Sequence, residues 1–248
     1  MYKGFYNLTS AMLTQGKHLD VISNNMANIA TTGYKADRFT QSTFGEVMWS
    51  MVGNKEKAYT ELGGQSWITA PSQLYTDYSQ GPLEQTDLPL NFAIEGNGYF
   101  AVEADNGRMY TRNGSFTLDN EGYLTLPGEG RVLSRAGNPI RLQTDQVRVD
   151  SLGGMYTEEG TFLGMIGVFD FGNAADMAKN ARSLFDAGGQ AVPTAATLRN
   201  GMIERSNVDM VQQLTEMIQA ERAYQSAAEV IKIYDEVIQR SNSDVGRL

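Results

Sequence analysis

Two apolar seams, one at each end of the chain, constrain the fold more than any other feature of the sequence. The N-terminal seam occupies the first and fourth positions of a seven-residue repeat, interrupted only by Gln15: Phe5, Leu8, Met12, Leu19, Ile22, Met26 and Ile29. The C-terminal seam recurs at strict seven-residue intervals, with Leu214 on the same face: Met210, Met217, Tyr224, Ile231 and Ile238. Such a period is typical of a helix that packs against another helix. The sequence therefore predicts a long helix at each end, packed either on the chain's own core or on another subunit.

The ends of both helices can be predicted from local signals. The first helix is expected to run from near residue 4 to about Ile29, because Thr31, Thr32 and Gly33 follow. Asparagines crowd its last turns, which indicates either a fraying end or hydrogen bonds to neighbouring chains. The last helix is expected to begin at a capping box formed by Ser206 and Asp209 and to reach about Asn242.

The middle of the chain has the pattern of an antiparallel β domain. From Leu90 onward, short runs rich in β-branched and aromatic residues alternate with turns that contain Gly, Asn or Asp, as far as about residue 171. Residues 172–200 are weakly patterned and are predicted to form a connection. The sequence thus predicts an α+β protein with long N- and C-terminal helices that form a coiled-coil layer and, between them in the sequence, a central antiparallel all-β domain. The predicted boundaries are 1–33, 34–75 (an irregular connecting segment), 76–200 and 201–248.

Composition argues against several classes of function. A formal net charge of -9 and a pI near 4.7 disfavour binding to nucleic acid or to an anionic membrane. The chain has no cysteine and one histidine, His18, which is interpreted as a residue on the flank of the first helix. We therefore predict no enzyme, no cofactor and no metal site. A carboxylate pair among Glu84, Asp87, Glu95 and Glu103 stays open.

Two short motifs look chemical but are better explained as turns. Gly96-Asn97-Gly98 has the spacing of a dinucleotide-binding loop, but a strand rather than a helix is expected to follow it, which favours a hairpin turn. Asp119-Asn120-Glu121-Gly122 lacks the alternating ligands of a calcium loop. The sequence also shows neither a cleavable secretion signal nor a membrane-spanning stretch, so export would need another route.

Three ordered motifs resemble one protein family. The N-terminal motif is Leu19–Asn28 followed by Thr32-Gly33-Tyr34-Lys35. The C-terminal motif is Ser206–Asp209 with Met217-Ile218 and Glu221–Tyr224. The central motif comprises four segments: Gln80–Thr86, Pro89–Ile94, Gly96–Phe100 and Tyr110–Gly114. Together they resemble the rod proteins of the bacterial flagellar basal body, which belong to a larger axial family that includes hook proteins.

The resemblance implies a structural subunit rather than an enzyme. Such a subunit assembles with itself and with other rod and hook proteins into the shaft that carries torque from the motor to the hook and filament. The resemblance also implies export by the flagellar type III apparatus, location in the basal body, and terminal helices that line the inside of the shaft. It does not separate a proximal from a distal rod subunit.

Two alternatives remain at the level of sequence. The β domain could be a secreted binding module, dimerised by the helices, in which Tyr99, Phe100, Tyr110 and Tyr123 form a stacking platform. A peptidoglycan hydrolase would require the carboxylate pair mentioned above.

Overall fold

The chain folds into two compact units, each assembled from distant parts of the sequence. Unit 1 comprises residues 1–27, 37–75 and 209–248, and unit 2 comprises residues 28–36 and 76–208. The computed structural model describes residues 2–43, 69–104, 107–142, 144–150, 153–157, 159–172, 177–180, 182–187 and 191–245. The units therefore divide the chain differently from the predicted boundaries, since residues 28–36 belong with the β region.

Unit 1 is built on two long helices, α1 (Tyr2–Ala27) and α2 (Met210–Val245). The two helices pack against each other, and α1 also contacts strand β1 (Asp37–Thr43). Strand β1 pairs with β2 (Thr69–Thr76) in a two-stranded sheet. The terminal helices predicted from the seams are confirmed, together with an antiparallel β region between them.

The observed helix ends correct two predictions. Helix α1 stops at Ala27, before Ile29. Helix α2 is capped by Asp209 rather than by Ser206, because Asp209 Oδ1 accepts hydrogen bonds from the amides of Val211 at 2.9 Å and Gln212 at 3.2 Å. A carboxylate at this position both satisfies free amides and favours the positive end of the helix dipole.

The segment from residue 34 to residue 75 was expected to be irregular, and the structure corrects this in part. Strands β1 and β2 lie within it, and Thr40 Oγ1 donates a hydrogen bond to the Gln73 carbonyl at 2.9 Å. Both strands are rich in Thr, Ser and Gln, so apolar alternation gives no signal for them. The apolar residues of this segment, from Phe44 to Met51, lie outside the described residues.

Unit 2 is an antiparallel β structure. Its largest sheet follows the order β14-β15-β6-β5-β9-β8-β7, with β13 pairing with β5 and β16, while β10-β11-β12, β17-β4 and β18-β3 form smaller sheets. The strands are β3 (Leu83–Gln85), β4 (Phe92–Glu95), β5 (Tyr99–Ala104), β6 (Gly107–Thr111), β7 (Thr117–Leu118), β8 (Leu124–Leu126), β9 (Gly130–Val132), β10 (Val147–Val149), β11 (Gly154–Thr157), β12 (Phe162–Met165), β13 (Val168–Asp170), β14 (Met177–Lys179), β15 (Phe185–Ala187), β16 (Val192–Pro193), β17 (Thr197–Asn200) and β18 (Met202–Glu204).

Two further predictions fail in unit 2. Residues 172–200 contain four strands, β14 to β17, and are not a simple connection. The Gly96–Gly98 turn does not join a hairpin, because β4 pairs with β17 while β5 pairs with β6, β9 and β13. Except for β14, which pairs with the next strand β15, the strands of residues 172–200 pair with partners that are distant in sequence, so local patterns could not reveal the pairing.

The core of unit 2 is fully packed. The ring of Phe116 contacts the rings of Phe92 and Phe100, with centroids 6.1 Å and 5.1 Å away respectively. Gly114 lies directly against this cluster, and a Cβ atom there would overlap the Phe92 carbonyl oxygen. The tight turn after β6 therefore requires glycine. No helix among the described residues is long and apolar enough to span a membrane.

Candidate assembly surface and buried charge cluster

The predicted N-terminal seam lies mostly on the packed side of α1. Ile22 is 1% exposed, and four other seam residues are half-buried: Leu8, Met12, Leu19 and Met26. Phe5 is exposed near the start of the helix, and Ile29 lies beyond the helix end in unit 2, where it is half-buried. Most of the seam residues therefore lie on the less exposed face of α1, and their role in subunit assembly stays a prediction.

The C-terminal seam is divided by the structure. Met217, Ile231 and Ile238 are half-buried, whereas Met210, Leu214 and Tyr224 are exposed. The most buried residue of α2 is Ala220 at 3%. A small side chain at this position allows a neighbouring element to approach the helix closely.

A second set of apolar residues on α2 faces away from Ala220. At about 100° per residue, Val211, Ile218 and Ile233 lie about 140 to 180° around the helix from Ala220. Val211 is 73% exposed and Ile233 is 60% exposed. Val230 and Val237 are also exposed, but they lie about 80 to 100° from Ala220, at the flank of this face. We call these five residues the outer face of α2: Val211, Ile218, Val230, Ile233 and Val237.

Asn25 accounts for one of the asparagines at the end of α1. Its Oδ1 accepts from the Asp37 amide at 2.9 Å, and its Nδ2 donates to the Asp37 carbonyl at 2.8 Å and to Gln213 Oε1 at 3.2 Å. Asn25 is buried, so these bonds satisfy both ends of its amide. For Asn25, neither a frayed end nor bonds to another chain describes the role.

His18 stacks on Phe39, with ring centroids 5.3 Å apart, and lies half-buried on the flank of α1. Of the carboxylates kept open above, Glu84 and Glu95 each pair with an arginine at 2.8 Å, Arg205 and Arg199 respectively, and Asp87 and Glu103 are exposed. Among the described residues, no group of three His, Asp or Glu side chains is placed to hold a metal ion. The Asp119 turn is confirmed, since the Gly122 amide donates to the Asp119 carbonyl at 3.0 Å.

Unit 2 contains an interior charge cluster that sequence reasoning missed. Glu204 Oε1 accepts from Lys35 Nζ at 2.6 Å, and Glu204 Oε2 accepts from Arg112 Nη1 at 3.1 Å. The three side chains are only 0% (Lys35), 1% (Glu204) and 4% (Arg112) exposed. Lys35 also donates to the Ser79 carbonyl at 2.7 Å, and the Gly81 amide donates to Glu204 Oε1 at 3.0 Å. One carboxylate thus joins three distant parts of the chain.

The backbone brings these residues together. Strand β18 pairs with β3 and ends at Glu204, while Arg112 follows β6. The Gly33 amide donates to the Glu204 carbonyl at 2.7 Å. Gly33 has φ +69°, and a Cβ atom there would overlap the backbone of Arg112 and Asn113, so only glycine lets residues 28–36 lie this close.

The electrostatics of the cluster are unbalanced. Two cations share one anion, and burial lowers the pKa of Lys35 against the opposing attraction of Glu204. Arg112 stacks over the Tyr99 ring at 5.0 Å, and burial raises the pKa of Tyr99. The buried Nε of Arg112 has no hydrogen-bond partner among the described residues. The carboxylate of Glu204 is therefore the centre on which the cluster depends.

Asn207 ties the same region together. Its Oδ1 accepts from the Ala36 amide at 2.7 Å, and its Nδ2 donates to the carbonyls of Asp77 at 2.9 Å and Ser79 at 3.2 Å. Lys179 Nζ lies 3.9 Å above the centre of the Tyr34 ring and donates to the Lys35 carbonyl at 2.6 Å. Residues 33–36 are thus held by side chains from several strands.

The sequence contained only a weak signal for this cluster. Lys35 and Arg112 lie inside the motifs quoted above, but nothing in their spacing connects them to Glu204, which is 169 residues from Lys35. The aromatic platform of the alternative function is not formed, because Tyr99, Phe100 and Tyr110 are buried and Arg131 covers the ring of Tyr123 at 4.1 Å.

Comparison with known proteins matches the whole length of the chain. Residues 5–35 match the family described as flagella basal body rod protein, residues 93–156 match the flagellar hook protein FlgE/F/G D1 domain, and residues 199–244 match the flagellar basal body rod FlgEFG protein C-terminal family. Lys35, Arg112 and Glu204 each fall in a different one of these three segments.

Full-length relatives agree with these matches. The chain is 30% identical to the flagellar basal-body rod protein FlgG of Bacillus subtilis, over 96% of this chain and 97% of the relative. It is 31% identical to the rod protein FlgF of Caulobacter vibrioides, over 100% and 98%, and 29% identical to the hook-basal body complex protein FlhO of Bacillus subtilis, over the full length of both. The chain therefore belongs to the flagellar basal-body rod proteins and is a structural subunit of the flagellar basal body.

Proposed function

We propose that the subunit builds the axial drive shaft by self-assembly through its terminal helices and thereby transmits motor torque to the hook and filament. In this arrangement α1 and α2 form an inner coiled-coil layer, and the outer face of α2 packs on the helices of neighbouring rod and hook proteins. The exposed seam residues Phe5, Met210, Leu214 and Tyr224 contribute to the same contacts. No enzymatic activity is part of the proposal.

The observation that carries this proposal is the outer face of α2. A helix that packs on one side only is expected to be polar on the other side. Helix α2 instead has half-buried apolar residues on one face and exposed Val and Ile side chains on the opposite face and its flank. Apolar surface of this kind indicates a protein interface.

Delivery of the subunit is the second part of the proposal. The family resemblance implies export by the flagellar type III apparatus. We expect fusion of a stably folded domain to the N-terminus to block export while a short epitope tag does not.

The helix proposal is tested by placing a charge on the outer face. Ile233→Asp is expected to leave the free monomer folded, because the side chain is already 60% exposed, but to stop rod assembly and swimming. The matched control is Gln239→Asp, which adds the same charge at another exposed position of α2. Complementation of a deletion strain measures both, with expression confirmed. Normal swimming of the Ile233→Asp strain would show that the outer face does not bind another subunit.

A further inference from the structure

The charge cluster of unit 2 joins residues from the early, middle and late parts of the sequence, which become available at different times when a chain is synthesised or delivered from its N-terminus. Lys35 comes early, Arg112 in the middle and Glu204 near the end. In any chain that is made or delivered from its N-terminus, the two cations are present long before the anion that both of them contact.

Docking of residues 28–36 without Glu204 would bury uncompensated charge. Lys35 and Arg112 are almost completely buried, and Glu204 is the carboxylate that contacts both. Without it, Lys35 would retain the Ser79 carbonyl as an acceptor but would face a second cation in a dehydrated site. Burial of a charge without a counter-charge is strongly unfavourable, so the segment would remain undocked.

Backbone hydrogen bonds also join the region of strand β18 to residues 33–36 and to strand β3. The Glu204 carbonyl accepts from the Gly33 amide, and the Arg205 amide donates to the Pro82 carbonyl at 2.9 Å beside the β18–β3 pair. Asn207 then adds its bond to the Ala36 amide. Strand β18 therefore supplies the counter-charge and one backbone acceptor to residues 33–36, and Asn207, three residues after the strand, supplies one side-chain acceptor.

We propose that Glu204 makes docking of residues 28–36 conditional on the arrival of strand β18. The segment that follows α1 is then ordered on unit 2 only in a chain whose C-terminal part is already in place. In this scheme residues 28–36 dock only after Glu204 is in place, so a chain that lacks β18 leaves residues 28–36 undocked.

The direct test follows hydrogen exchange during refolding of the full-length wild-type protein. Chains are diluted from denaturant and pulse-labelled at increasing times, and peptides covering residues 28–36, β5–β6 and β18 are analysed by mass spectrometry. We expect residues 28–36 to gain protection together with β18. Protection of residues 28–36 before β18 would overturn the proposal.

The second test isolates the charge of Glu204. In native full-length protein, Glu204→Gln is expected to raise exchange of residues 33–36 by at least about tenfold while β5 and β6 stay protected. The matched control is Glu95→Gln, which breaks the exposed pair between Glu95 and Arg199 on the neighbouring β4–β17 sheet and should leave residues 33–36 unchanged. Equal exchange in the two variants would contradict the proposal.

A double variant separates charge from shape. Adding Lys35→Met to Glu204→Gln removes one of the two uncompensated cations, so protection of residues 33–36 should partly return. A merely steric role of Glu204 would predict further loss instead. Should Glu204→Gln prevent folding of unit 2 altogether, the wild-type refolding experiment still decides the order of docking.

Discussion

Unit 2 buries most of its large apolar side chains in a core, whereas unit 1 leaves many of its apolar side chains exposed to water. In unit 2 the core includes Phe92, Phe100 and Phe185, all at 0% exposure, and even its charged cluster is closed to solvent. In unit 1 the helices pack on each other, but the outer face of α2 remains exposed. The difference shows that unit 2 forms its core within one chain, while unit 1 keeps apolar surface that the proposed assembly would cover.

The largest expected effect comes from opening the core of unit 2. Phe100→Ala removes a ring that contacts Phe116 at 5.1 Å and is expected to lower the free energy of unfolding of unit 2 by about 3–5 kcal/mol. Chemical denaturation of the purified monomer measures the loss. The control is Val237→Ala on the outer face of α2, which should change monomer stability by less than about 0.5 kcal/mol. Similar losses in both variants would contradict the comparison.

A charge on the packed side of α1 should affect unit 1 alone. Ile22→Asp buries a carboxylate at a position that is 1% exposed, at a cost on the order of several kcal/mol, so the helix pair should separate and motility should be lost. Lys17→Asp, at an exposed position of α1, serves as the control. Hydrogen exchange should increase in α1 and α2 and remain low in β5 and β6. If hydrogen exchange in the Ile22→Asp variant rises equally in both units, the two units do not unfold independently of each other.

Alkaline pH should weaken unit 2 through Tyr99. Its folded-state pKa lies above the ordinary value of 10.0 because burial disfavours the phenolate. The unfolded chain then loses this proton first, so stability is fully present below pH 10.0 and falls above it, by up to about 1.4 kcal/mol per pH unit. Tyr99→Phe should reduce this decline in denaturation curves recorded between pH 9 and pH 11. An unchanged slope would show that Tyr99 is not responsible.

The smallest effect is expected from a glycine in α1. Gly16 has nothing within 4 Å of the position that a Cβ would occupy, so Gly16→Ala should stabilise the helix by about 1 kcal/mol without strain. Gly114→Ala is its counterpart in unit 2 and should be destabilising, because its Cβ would overlap the Phe92 carbonyl oxygen. Thermal denaturation of the two variants should show shifts of opposite sign.

The sequence predicted the parts of the fold that depend on local patterns. The seams located both helices, and the turns located most strands up to β13, because neighbouring strands such as β5 and β6 pair across a short turn. Strands β14 to β18 were missed or left undivided, since β17 pairs with β4 and β18 with β3 across more than a hundred residues. The candidate site divides in the same way: Ile22 was identified by its period, whereas the pairing of Lys35 with Glu204 depends on tertiary contacts that have no period.

The placement of residues 28–36 has a mechanical consequence. Helix α1 leads directly into this segment, and α2 begins just after residues 204–208, so a pull along either helix enters unit 2 beside the hydrogen bond from the Gly33 amide to the Glu204 carbonyl. Both connections to the helices therefore run through residues that this hydrogen bond and Asn207 tie to each other within unit 2.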